Sequence, residues 1–244
     1  MPDRSGHGTV PNARLSLVLP RLASDVTLWF LDRAARRLAT LGVSANVVSM
    51  LGGGVAAAGG VLLGLGYFGP AAVAMIAASL GDALDGLVAR RTGCASVSGA
   101  ILDASVDRYE EFFFVGGLAI FFHSSVVVLL IALGALAGCF MVSYGSAKAE
   151  ALAMPVPSSA MRRPERAVCL CVGVAMVVPF RWLAHHFVLP AWIEHAPPVG
   201  ALAIIAVVAN VSAIRRLQSL GRALARAETG ALDPSQGCRH RTVT

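Results

Sequence analysis

Six stretches of about 20 mostly apolar residues, separated by short polar segments, run from about residue 44 to residue 216. A helix of that length crosses the roughly 30 Å hydrocarbon core of a bilayer. In lipid a helix also satisfies its own backbone hydrogen bonds. The pattern predicts spans over about 44–67, 70–92 and 98–122, two more starting near 124 and 165, and a last one over 198–216. Pro179 lies inside the fifth and predicts a kink. Gly60 and Gly64, four residues apart in the first, would let another helix approach closely. Ahead of the spans, residues 15–41 mix Leu, Val, Trp29 and Phe30 with Arg21, Arg33, Arg36 and Arg37. That mixture predicts an amphipathic helix lying on the membrane surface. Residues 1–14 are expected to be disordered and residues 217–244 to form a polar cytosolic tail. The expected fold is all-α: a polytopic membrane protein with six transmembrane helices, carried by residues 42–216, and an N-terminal amphipathic surface helix.

Composition supports this reading. Of 244 residues, 56% are hydrophobic and 14% charged, and the mean hydropathy is +0.70. Soluble domains carry about 25% charge, so a soluble core is excluded. The net charge of +6 is distributed in a telling way. Arg14 to Arg37 precede the first span, and Arg90 and Arg91 join the second to the third. Lys148, Arg162, Arg163 and Arg166 join the fourth to the fifth, and Arg215, Arg216, Arg222 and Arg226 follow the sixth. The opposite side has only Arg181 nearby. The positive-inside rule then puts both termini in the cytosol. Anionic lipid accounts for the basic balance, and no nucleic-acid module is visible. The five cysteines, Cys94, Cys139, Cys169, Cys171 and Cys238, lack zinc spacing and read as small buried residues. His185, His186 and His195, with Trp29, Trp182 and Trp192, are expected at the interfaces. The polar start MPDRSGHGTVPNAR, followed by the short LSLVL, is not expected to act as a secretory signal. A multi-pass protein of a bacterial inner membrane is expected.

The stretch GDALDGLVARRTGCASVSGAILDASVDR, residues 81–108, departs from the apolar pattern with four aspartates. Ionised carboxylates beside lipid are costly and mark function. Asp82 and Asp85 share a face of one helix, and Asp103 and Asp107 share a face of the next. A short loop makes the two helices antiparallel neighbours, so all four carboxylates are expected to converge. Hard divalent cations relieve the repulsion, because Mg²⁺ and Ca²⁺ take oxygen ligands. Two such ions about 4 Å apart would serve an attacking and a leaving oxygen together. Two readings compete with this one. The aspartates are polar helix ends paired with Arg90, Arg91 and Arg108, or they line a cation pathway, as in a transporter. The second predicts acids spread through the bilayer depth, whereas these cluster at one side. Gly86 follows Asp85, and Gly99 precedes Asp103 by one turn. Both weaken a helix by about 1 kcal/mol. They open the backbone to a ligand or to a packed helix.

Asp82-x2-Asp85-Gly86-x2-Ala89-Arg90-x8-Gly99-x3-Asp103-x3-Asp107 resembles, position for position, the signature of the CDP-alcohol phosphotransferases. Gly42-Val-Ser-Ala-Asn46 is similar to the segment that leads into the first span in that family. Ser143-Tyr144 with Ala147-Lys148-Ala149-Glu150, and Arg163-Pro164-Glu165-Arg166, resemble its branch of phosphatidylinositol-phosphate and archaetidylinositol-phosphate synthases. The resemblance implies an enzyme of phospholipid biosynthesis that moves a phosphatidyl-type group from a CDP-linked lipid to an alcohol and releases CMP. It implies Mg²⁺ or Mn²⁺, as two ions, held by Asp82, Asp85 and Asp103. Asp107 is implied as the general base and as a further metal contact. Gly86, Ala89, Arg90 and Gly99 fall where the family holds the CDP moiety. A homodimer with its active site toward the cytosol is also implied.

The acceptor is read from charge. Lys148, Arg162, Arg163 and Arg166 form a cationic group on the expected cytosolic side, and arginine suits bidentate phosphate binding. An acceptor already carrying phosphate, such as inositol phosphate or glycerol phosphate, is expected. Inositol or serine is the alternative if the cluster is only the positive-inside bias. Glu110 and Glu111 either pair with Arg108 or line the site.

Overall fold

The computed structural model describes residues 21–93, 96–155, 161–190 and 192–231, with side chains described from residue 27 to residue 225. The expected disordered start, residues 15–20 of the surface helix, Cys94, Cys238 and the end of the tail lie outside the described residues. The described chain is all helix: α1 (Arg21–Thr40), α2 (Ala45–Gly64), α3 (Phe68–Thr92), α4 (Val97–Phe121), α5 (Val126–Ala151), α6 (Arg163–Ala175), α7 (Val177–Phe187) and α8 (Trp192–Ala231). Five segments are long and apolar enough to cross a membrane: α2, α3, α5, α6 with α7, and α8 as far as Ala225. The protein is therefore a polytopic helical membrane protein. The sixth expected span is α4. It has 25 residues but carries Asp103, Asp107, Arg108, Glu110 and Glu111.

The chain forms two compact units, Met1–Gly52 with Leu80–Asp103, and Gly53–Ser79 with Ala104–Thr244. In the first, α1 buries Leu31 and Ala35, and α2 and α3 bury Val48 and Val88. Asp32 of α1 pairs with Arg36 at 2.9 Å and also with Arg91 at the end of α3. Gly42 ends α1 in the left-handed region, at φ +71°. The Val43 N–H reaches the Leu38 carbonyl, and the Gly42 N–H reaches Ala39. This pair of bonds is a Schellman close, which needs a residue without a Cβ at that position. The turn read from Gly42 to Asn46 thus delivers the chain directly into α2.

The second unit is built on small residues. Lipid is as apolar as leucine, so helices in it associate through close van der Waals packing rather than the hydrophobic effect. A Cβ added at Gly60 would lie 2.5 Å from the Phe113 carbonyl oxygen, and one at Gly117 would run into the Gly60 carbonyl. The α2 and α4 backbones therefore touch, as the spacing of Gly60 predicts. Along α5 and α8, a Cβ at Gly138 would meet that of Ala209 at 2.9 Å. Asn210 adds bonds from its Nδ2 to the Gly134 and Ala206 carbonyls, at 2.8 and 2.7 Å. Gly117→Val is expected to destabilise the protein by about 1–3 kcal/mol or more, the usual cost of overpacking. Thermal unfolding of the purified protein measures this. An unchanged melting temperature would contradict the contact.

One boundary differs from expectation, and one expected break is present. The fifth span is interrupted at Met176, three residues ahead of Pro179, the proline expected to kink it. Pro179 has no N–H for the Ala175 carbonyl and its ring crowds that oxygen, so α6 ends at Ala175. The last helix does not stop near residue 216 but continues to Ala231. Leu217, Leu220 and Leu224 prolong an apolar stripe at helical spacing, and Leu220 is buried.

Candidate active site

In the first unit the acidic motif closes on itself. Ser96 caps α4: its Oγ accepts from the Gly99 N–H at 3.0 Å, and its carbonyl accepts from Ala100 at 3.0 Å. That cap fixes the first turn of α4, one turn before Asp103. Asp82, Asp85 and Asp103 each offer a carboxylate oxygen, and these oxygens lie within 4.8 Å of one another. Asp85 is buried, at 6% exposure, while Asp82 and Asp103 are half-buried. Beside them is a cavity of about 160 Å³, lined by Asn46 and Ser49 of α2, Asp85, Gly86 and Ala89 of α3, and Gly99 and Asp103 of α4. A Cβ on Gly99 would stand 3.1 Å from Ser96 Oγ and 3.3 Å from Asn46 Oδ1. Glycine keeps that wall open. A Cβ on Gly86 would lie 3.4 Å from a guanidinium nitrogen of Arg90, so Arg90 folds back over Gly86.

The donor set suits a hard divalent cation. Oxygens in one octahedral Mg²⁺ shell are about 3–4 Å apart, given metal–oxygen distances of about 2.1 Å. The observed separation is close to that, and nitrogen or sulfur ligands are absent from the group. Three carboxylates this close repel one another strongly unless cations or hydrogen bonds intervene. One such bond is present: the Ser49 hydroxyl donates to Asp85 Oδ2 at 2.5 Å. Ser49 escaped the sequence reading, and Asn46 entered it only as the end of the segment that leads into the first span. The only available signal was their place one turn apart at the start of α2, just after the Gly42 turn.

The second unit holds the rest of the motif. Asp107 Oδ1 lies 2.6 Å from Arg163 Nη2 and its Oδ2 3.6 Å from Arg108. The same Arg163 nitrogen reaches Glu110 Oε2 at 2.9 Å. Arg166, 4% exposed, contacts Glu111 Oε1 through Nη2 at 2.5 Å and through Nε at 3.1 Å. Glu110 and Glu111 therefore bind the arginines of α6. The Arg162 N–H donates to Glu165 Oε2 at 2.8 Å and starts α6. Its side chain and that of Lys148 are exposed. The basic group read from sequence thus divides into two arginines held against α4 carboxylates and two exposed cations. Another basic residue joins this unit. Arg216 of α8 is buried, and its Nη1 donates to the Val142 carbonyl at 2.9 Å and to Ser146 Oγ.

Comparison with known proteins gives these positions their context. A model of the CDP-alcohol phosphatidyltransferases matches residues 42–211, a segment that contains the whole aspartate motif. The phosphatidylinositol phosphate synthase of Streptomyces avermitilis is 32% identical over 203 residues, 80% of this chain and 80% of that protein. That of Mycolicibacterium smegmatis is 30% identical over 198 residues, covering 79% and 82%. The crystal structure of Mycobacterium tuberculosis phosphatidylinositol phosphate synthase with CDP-DAG bound superposes with a TM-score of 0.66 at 26% identity, over 77% of this chain and 92% of that one. A second structure of that enzyme, in complex with manganese and citrate, gives 0.66 at 25%, over 77% and 87%. The match runs through the turn at Gly42, the three clustered carboxylates and the arginine-held Asp107, and the chain belongs to the CDP-alcohol phosphatidyltransferase family, enzymes that transfer a phosphatidyl group to an alcohol.

Proposed function

We propose that the protein transfers a phosphatidyl-type group from a CDP-diacylglycerol-like lipid to inositol phosphate, releasing CMP. The observation that carries this is the group of Asp82, Asp85 and Asp103 beside a cavity walled by Gly86, Ala89 and Gly99. The three carboxylates would hold Mg²⁺ or Mn²⁺, as two ions. When bound, such ions offset the pyrophosphate charge and the charge that develops on the departing CMP. The cavity walls would take the CDP moiety. With no side chains at Gly86 and Gly99, a flat base or a pyrophosphate can lie against the backbone, and Arg90 stands ready over Gly86. Asp107 would accept the proton of the acceptor hydroxyl, as a general base within hydrogen-bond reach. Arg163 fixes its carboxylate through the 2.6 Å contact.

A phosphorylated acceptor is supported by the basic side chains of α5, α6 and α8. Lys148 and Arg162 are exposed, Arg163 is half-buried, and Arg166 and Arg216 are buried in the same unit. Inositol phosphate is favoured over glycerol phosphate because the relatives above are phosphatidylinositol phosphate synthases. The distribution of basic residues along the chain supports a cytosolic face for this chemistry. The test is CMP release by the purified protein with CDP-diacylglycerol and Mg²⁺, across inositol phosphate, glycerol phosphate, inositol, serine and glycerol. Release is expected with inositol phosphate and only weakly with the neutral alcohols. A preference for inositol or serine would overturn the acceptor assignment, and silence across the panel would overturn the transfer itself.

A further inference from the structure

We propose that Ser49 is a positioning residue for the cation site, holding the Asp85 carboxylate in the orientation that a divalent ion requires. The proposal rests on the metal reading above. Its basis is one contact: Ser49 Oγ lies 2.5 Å from Asp85 Oδ2, and both residues are 6% exposed. The hydroxyl has a second candidate acceptor, the Ala45 carbonyl at 3.2 Å. A hydroxyl carries one proton. The charged oxygen at the shorter distance takes it, since hydrogen bonds to ionised acceptors are shorter and about twice as strong. Burial keeps water from competing for either partner.

The bond matters because of what surrounds Asp85. Oxygens of Asp82 and Asp103 lie within 4.8 Å of its own, so in the absence of a cation the electrostatic preference is for Asp85 to swing away. The Ser49 proton opposes that swing. It holds one oxygen from the α2 side and leaves the other for the group. Ser49 sits on the second turn of α2, a regular helix that opens immediately after the Gly42 close, so the donor is carried on a fixed element. Side chains that orient a metal ligand in this way typically change metal affinity by about 10–100-fold when removed. Nothing in the sequence pattern of four aspartates calls for a serine on a different helix.

The experiment is Mn²⁺ binding to the full-length, EDTA-stripped protein in detergent, read as loss of the free Mn²⁺ electron paramagnetic resonance signal. Wild type, Ser49→Ala and Ser49→Thr are compared, together with the melting temperature of each without metal. Ser49→Ala is expected to bind Mn²⁺ about 10–100-fold more weakly, while still unfolding cooperatively without metal, a few degrees below wild type. Ser49→Thr, which keeps the hydroxyl, is expected to recover most of the affinity. In CMP release, Ser49→Ala should need more Mn²⁺ than wild type for half-maximal activity. Wild type binding Mn²⁺ with Ser49→Ala within twofold of it, or tighter, overturns the positioning role and leaves the metal reading intact. Wild type failing to bind Mn²⁺ overturns both.

Discussion

Asp85→Asn lowers CMP release by about three orders of magnitude or more and removes Mn²⁺ binding, while the metal-free protein becomes more stable. The two effects share one cause. Asparagine keeps the shape of aspartate and can still accept from Ser49, but it carries no charge. Asp85 is the most buried of the three clustered carboxylates, so water compensates its loss least. Cation stabilisation of a transferring phosphoryl group is worth several kcal/mol, and each 1.36 kcal/mol is tenfold in rate. In the metal-free state the substitution relieves repulsion with Asp82 and Asp103, whose oxygens lie within 4.8 Å. For every kcal/mol relieved, a chain of this size gains about 2–4 °C in melting temperature. CMP release, Mn²⁺ titration and thermal unfolding with EDTA measure the three outcomes. A variant that keeps a tenth of the activity, or melts lower than wild type without metal, contradicts the assignment.

Asp107→Asn separates proton transfer from binding. Turnover is expected to fall by about 10²–10⁴-fold, the usual contribution of a general base, with CDP-lipid binding retained. The fold should survive, because Arg163 keeps its contact to Glu110 at 2.9 Å when the contact to Asp107 is lost. Mn²⁺ affinity should change little, since the clustered ligand oxygens come from Asp82, Asp85 and Asp103. Single-turnover kinetics with equilibrium binding of a CDP-lipid decides the matter. Loss of lipid binding in step with turnover would make Asp107 a binding group instead of a base.

Much of this is legible in the sequence. Spacings of three and four put the aspartates on helix faces, and a short loop makes the helices neighbours, so all four carboxylates are expected to converge. The structure groups Asp82, Asp85 and Asp103, with Asp107 paired to Arg163. The Gly60 contact was legible for a similar reason, since only glycine lets two backbones touch. What the sequence withheld were choices among equivalent partners. Arg108, Arg163 and Arg166 are chemically alike, and only the packing of α6 decides that Glu110 and Glu111 take the last two. The basic group therefore looked like a single patch of free cations. Ser49 was hidden because a hydroxyl on an apolar helix is common, and its meaning comes from a residue 36 positions away. The end of α8 was misplaced because arginines after residue 214 read as a polar tail, whereas the leucines between them continue the helix.

The account depends on divalent cations being held between α3 and α4 by these carboxylates. Anomalous scattering from crystals of the full-length protein grown with Mn²⁺ tests it most directly. The expected result is a peak bonded to oxygens of Asp82, Asp85 and Asp103, absent from Asp85→Asn crystals grown in the same way. Mn²⁺ located elsewhere, with these three side chains turned away from one another, would contradict it.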